Sequence, residues 1–112
     1  MELRKVVAVI RNSALPEVEE RLRKLGIKGI SIFQVKGYGE YANFSKRDWM
    51  VTSAKIEIFT ELSHVEPIVD TILETASLGL EGDGIVAVLP VEKMYRIRTK
   101  AEVDPQSFVW PD

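Results

Sequence analysis

The order of hydrophobic segments predicts an α+β fold: a four-stranded antiparallel sheet with two helices on one face. Three observations carry this. An apolar β-branched run lies near the start, two later segments place apolar residues at helical spacing, and extended segments flank each of them. In order, Lys5-Val6-Val7-Ala8-Val9-Ile10 is short and continuously apolar, which suits a buried strand. Leu15, Val18, Leu22 and Leu25 then recur at helical spacing, with Pro16 where a first turn tolerates proline and Gly26 as a stop. Ile30, Ile32, Phe33 and Val35 mark a second strand, and residues 37–50 have no clear period and read as a loop. Ala54, Ile56 and Ile58 alternate with Lys55, Glu57 and Phe59, the pattern of a third strand. Ser63 and Glu66 have capping-box spacing ahead of a stripe of Val65, Ile68, Val69, Ile72, Leu73 and Ala76, which predicts a second helix. Gly79, Gly82 and Gly84 interrupt the chain before a fourth apolar strand, Ile85-Val86-Ala87-Val88-Leu89. Tyr95 to Arg98 reads as a short extended piece, and the tail after Glu102 is expected to wrap the surface or fray.

This βαββαβ order is the ferredoxin-like arrangement. It leaves one sheet face without helices, and Phe33, Val35 and Phe59 are expected there. Other subunits would cover so apolar a face.

Composition narrows the function. At 112 residues one domain is expected, and 46% hydrophobic with 29% charged residues is an ordinary globular mix. A formal net charge of -2 is too balanced for binding nucleic acid through a basic footprint. The absence of cysteine excludes disulfides, thiolate nucleophiles and zinc–cysteine clusters, and a single histidine, His64, cannot build a multi-histidine metal site. No apolar run approaches the roughly 20 residues of a membrane helix. The first apolar run is too short for a signal-peptide core, so a soluble cytoplasmic protein is expected.

No catalytic constellation stands out. His64 falls just after a helix cap with no serine oriented beside it. Glu17, Glu19 and Glu20 share a polar helix face with Arg21, Arg23 and Lys24 as i+3 and i+4 partners. Two glycine-rich segments are more informative: Lys36-Gly37-Tyr38-Gly39 and Gly79-Leu80-Glu81-Gly82-Asp83-Gly84. Such turns either shape the chain or let backbone N–H groups converge on an anion. Neither matches a nucleotide fingerprint. In an extended segment Arg96 and Arg98 project to one side, roughly 6.5–7 Å apart along the strand. They suit a phosphate or carboxylate, or else bridge Glu92 and Glu102 at the surface.

In this order and spacing, the segments resemble the PII signal-transduction family of nitrogen regulatory proteins. The similarity runs from about Lys5 to Glu102. It is most specific in Leu25-Gly26-Ile27-Lys28-Gly29, Val35-Lys36-Gly37-Tyr38-Gly39, Lys55-Ile56-Glu57-Ile58, Val69-Asp70-Thr71-Ile72, Gly82-Asp83-Gly84 and Tyr95-Arg96-Ile97-Arg98-Thr99. The resemblance implies a non-catalytic homotrimer, cytoplasmic, acting in nitrogen or carbon metabolism. It binds ATP, ADP or AMP between subunits, and magnesium is left open. A T-loop, here 40–50, would control a transporter, enzyme or transcription regulator. The core would span about 4–99 and the tail 100–112. The nucleotide site would fall on Val9, Gly29, Ile30, Ser31, Gly37, Tyr38, Gly39, Glu57, Ile58 and Phe59. The phosphate turn would be Gly82, Asp83 and Gly84, with Arg96 and Arg98 reaching in from the adjacent subunit. Tyr41, Phe44 and Trp49 are the partner-contact candidates of the loop.

The sequence also departs from the family. Ile85 stands where a phosphate-binding lysine follows the turn, and losing such a contact costs about 1.5–3 kcal/mol. Tyr41 replaces the glutamine that helps hold magnesium and 2-oxoglutarate. Glu40 stands where a basic residue is common, and Ser53 where a lysine often meets the 2-oxoglutarate carboxylate. The loop is several residues short. Classical 2-oxoglutarate sensing is therefore expected to be weakened or lost. Two other readings remain: a ferredoxin-like RNA-binding module stacking bases on Phe33 and Phe59, and a small nucleotide hydrolase using Asp83 or Glu57.

Overall fold

A computed structural model describes residues 2–27, 29–37 and 51–105. β1 (Leu3–Arg11), α1 (Leu15–Lys24), β2 (Ile30–Gly37) and β3 (Val51–Glu61) are followed by α2 (Val65–Ala76) and β4 (Gly84–Val91). A short pair, β5 (Tyr95–Arg96) and β6 (Ala101–Glu102), comes after them. The main sheet is antiparallel in the order β2-β3-β1-β4, the expected ferredoxin-like topology.

β1 is apolar from Val6 to Ile10 and occupies the centre. Its register sets Val6 opposite Ile58 and Val88, Ala8 opposite Ile56 and Val86, and Ile10 opposite Ala54 and Gly84. These positions share one face with the helices. There Val6, Ala8, Ile10, Ala54, Ile56 and Ile58 pack with Val18 and Leu22 of α1 and Ile68 and Ile72 of α2. Burying an aliphatic side chain of this size fully contributes about 1.5–3 kcal/mol. α1 starts with Pro16 in its first turn and stops at Gly26, whose φ is +92°. The Ile27 N–H reaches the Leu22 carbonyl and the Gly26 N–H the Arg23 carbonyl, a Schellman stop closed by the buried Leu22 and Ile27.

Four local expectations are corrected. Ser63 and Glu66 do not form the predicted capping box. Ser63 sits in a 3-10 turn before α2 and donates its backbone N–H, at 2.8 Å, and its hydroxyl to the Glu61 carboxylate. The hydroxyl bond leads, and with the backbone bond it holds Glu61 below the usual carboxylate range despite burial. Leu73 is 52% exposed, and Thr71 is buried in its stead. Leu73 lies one residue, about 100° of helix, beyond Ile72 and so past the edge of the buried stripe. Arg21 takes no partner on its own helix; it crosses to Glu74 and Thr75 of α2 at 3.0 and 2.9 Å, whereas Arg23 pairs with Glu20 as expected. Arg96 and Arg98 do not share one strand. The chain turns at 97–100, closed by the Lys100 N–H on the Arg96 carbonyl at 2.8 Å. After Glu102 the tail is packed, with Val103 buried and its N–H on the Met94 carbonyl at 2.7 Å.

Candidate functional site

The helix-free face of the sheet carries Ser31, Phe33 and Val35 of β2 and Ser53, Lys55, Glu57 and Phe59 of β3. Lys5, Val7, Val9 and Arg11 come from β1, and Ile85, Ala87 and Leu89 from β4. Phe33, Phe59, Ile85 and Leu89 are all exposed. Across the middle runs a charged row in which Glu57 meets Lys5 at 3.4 Å and Lys55 at 3.3 Å. Each lysine head also lies over a phenylalanine, Lys5 over Phe59 at 5.8 Å and Lys55 over Phe33 at 5.2 Å. Burial opposes the Glu57 charge, but the two lysines outweigh it and hold the carboxyl below its ordinary value. A carboxylate clamped in this way is a poor general base, and each ring has an ammonium group over it while staying exposed.

One end of this face gathers the glycine turn. After α2 the chain runs through Leu78, Gly79 and Leu80 into a 3-10 turn, Glu81–Asp83. The N–H groups of Leu78, Gly79 and Leu80 converge on Asp83 Oδ2 at 2.9, 2.8 and 3.1 Å. The anion that this loop cradles is thus its own carboxylate. Burial works against that charge, yet the three N–H bonds and Arg11 outweigh it and keep Asp83 ionised below the usual range. Gly84 has φ +108°, and a Cβ there would stand 1.9 Å from the Val9 carbonyl oxygen. Glycine is required for β4 to start this close to β1.

Arg11, at the end of β1, was not singled out in the sequence. Its Nε faces Asp83 Oδ1 at 3.4 Å, and its Nη2 lies 2.8 Å from where a Gly82 Cβ would be. The open-face periodicity of β1 places position 11 beside Val9 and Ser53, but its meeting with a turn some seventy residues on is set by tertiary pairing.

Of the predicted site residues, Val9, Ser31, Glu57 and Phe59 share the open face, and Gly82, Asp83 and Gly84 adjoin it at the Arg11 end. Ile58 is 1% exposed on the helix side and Ile30 is half-buried there, so a ligand could reach only the Ile58 backbone. Gly29 is exposed, and a Cβ added to it would meet nothing within 4 Å. Gly37 ends β2 opposite Val51. Tyr38, Gly39, Tyr41, Phe44 and Trp49 lie outside the described residues, as does all of 40–50.

Arg96 and Arg98 lie elsewhere in the chain. The eight residues of β4 span about 23 Å at roughly 3.3 Å per residue, and the β5–β6 hairpin hangs from their far end. At its base Met94, Glu102 and Val103 line a groove of about 860 Å³ with Leu3, Arg4 and Glu92. None of the predicted site residues lines that groove. Among the described residues no group of three His, Cys, Asp or Glu could hold a metal ion, and no helix is long and apolar enough to cross a membrane.

Comparison with known proteins gives consistent matches. The profile of the family described as nitrogen regulatory protein P-II matches residues 3–101. A nitrogen regulatory protein P-II homolog of Arabidopsis thaliana is 35% identical over 103 residues, 85% of this chain and 53% of that protein. The nitrogen regulatory protein P-II of Azospirillum brasilense is 36% identical over 104 residues, 87% of this chain and 93% of that one. The chain therefore spans about half the length of the plant relative and nearly all of the bacterial one. The crystal structure of Arabidopsis thaliana PII bound to citrate superposes with a TM-score of 0.76 at 33% identity, covering 92% of this chain and 87% of that one.

Proposed function

The chain belongs to the nitrogen regulatory protein P-II family, whose members are regulators rather than enzymes, and from that premise we propose a homotrimeric regulator that binds an adenine nucleotide between subunits. The single domain, 1–112, would bind ATP, ADP or AMP in the cytoplasm. Its 40–50 segment, with Tyr41, Phe44 and Trp49, would pass ligand state to a partner protein in nitrogen or carbon metabolism. Regulation of this kind needs the ligand to bind the two loop states with different affinity.

The observation that carries the proposal is the distance between the two cationic and glycine elements. A turn built against Val9 and Arg11 lies at one end of β4, and the arginine hairpin hangs from the other. A neighbouring copy must supply Arg96 and Arg98 if both are to meet one phosphate chain. The open face supports association, since Phe33, Phe59, Ile85 and Leu89 gain most by being covered. Ile85 offers no cation beside the turn, and Ser53 is a buried hydroxyl. On this reading 2-oxoglutarate binding is weak or absent, and the dianion site is degraded. Calorimetric titration of the full chain with ATP, ADP and AMP tests it, each with and without magnesium and 2-oxoglutarate. The expected result is three nucleotides per trimer with no added heat from 2-oxoglutarate. Tight magnesium-ATP-dependent 2-oxoglutarate binding would contradict the second half, and a monomer that binds no nucleotide would contradict the first.

A further inference from the structure

We propose that Arg11 is the cation that meets a ligand's phosphoryl group at the Gly82-Asp83-Gly84 turn, an assignment that rests on the nucleotide reading above. The turn needs one. Its converging N–H groups, those of Leu78, Gly79 and Leu80, are spent on Asp83 Oδ2. Where those three donors converge an arriving phosphate meets a carboxylate, and that encounter is repulsive without a compensating positive charge. The residue that follows the turn, Ile85, is aliphatic and supplies none.

Arg11 fits the requirement in position and in chemistry. Its side chain is 17% exposed, so the guanidinium is held rather than free to swing. The carbon and both terminal nitrogens of that group lie 2.8–3.1 Å from the place of a Gly82 Cβ, so its seat against the turn depends on glycine. Its Nε faces Asp83 Oδ1 at a long 3.4 Å. Among the described residues Nη1 and Nη2 have no hydrogen-bond acceptor, which leaves the planar fork that suits two phosphate oxygens. The same group both neutralises Asp83 and presents donors past it.

The test is calorimetric titration of the full-length wild type, Arg11→Met and Arg11→Lys with ATP, ADP and adenosine. Arg11→Met should weaken ATP and ADP by about 10- to 100-fold, the range of a lost charged hydrogen bond. Arg11→Lys should lose less than Arg11→Met without matching the wild type, because it keeps the charge and gives up the planar fork. Adenosine, which has no phosphate, should bind all three alike. Unchanged ATP affinity in Arg11→Met overturns the assignment while leaving the nucleotide reading intact. A parallel loss of adenosine also overturns it, because Arg11 would then only support the fold. A wild type that binds none of the three compounds removes the nucleotide reading, and the assignment falls with it.

Discussion

At its first residue β4 is locked to β1. Gly84 touches the Val9 carbonyl, and Asp83 just before it is held by three backbone N–H groups and Arg11. Beyond its last residue the chain reaches a hairpin where Tyr95 is 58% exposed and Ile97 95% exposed between two arginines. The turn end holds its Asp83 carboxylate within one chain, whereas the hairpin end displays apolar and cationic groups to the outside. Removing the glycine at the start of β4 should therefore unfold the chain, whereas removing the hairpin arginines should cost binding alone.

The largest effect is expected from Gly84→Ala. A Cβ 1.9 Å from a backbone oxygen at φ +108° cannot be relieved by a side-chain rotation, and the cost should be about 3 kcal/mol or more. Denaturant unfolding measures it, and a loss below 1 kcal/mol would break the contrast between the ends. Next, the double variant Arg96→Ala with Arg98→Ala should lose about 10- to 100-fold in ATP affinity with no change in melting temperature, since both residues are exposed. A melting shift without a binding loss would reverse the assignment of this end.

A smaller effect is pH-dependent. The folded-state pKa of Asp83 lies below its unfolded value. Its stabilisation is therefore fully present above about pH 4 and is lost as pH falls through the depressed folded pKa. Thermal melts at neutral pH and at pH 3 should differ less for Asp83→Asn than for the wild type; equal differences would show that the carboxylate does not hold the turn.

How much of this was legible follows from how far apart the interacting residues lie in sequence. The central β1 run, the alternation of β3, Pro16 and the Gly26 stop all act within a few residues, and each was read correctly. The turn at 97–100 was missed because Arg96-Ile97-Arg98 alternates like a strand, while the Lys100 N–H closes a loop that alternation does not record. Ser63 was read as a cap because spacing does not reveal that Glu61, two residues before it, is the stronger acceptor. The glycine spacing left a chain-shaping turn and an anion cradle both open; the converging N–H groups are there and hold Asp83, and Arg11 enters only through strand pairing. The smallest predicted effect tests one such correction. Leu73→Gln should change stability by no more than about 0.5 kcal/mol, whereas a residue in the buried stripe would cost about 2 kcal/mol or more on truncation.

The central claim is that each ligand site is assembled from two chains, the turn of one and the arginines of the next. Co-refolding two disabled chains tests this most directly. One chain carries Arg96→Ala with Arg98→Ala. The other carries Gly82→Glu, which adds a carboxylate to the turn and displaces only the far end of Arg11. Neither chain alone should bind ATP tightly, and an equimolar mixture should recover about one quarter of the wild-type sites, the statistical share in which an intact turn faces intact arginines. A mixture that binds no better than its components would contradict the account.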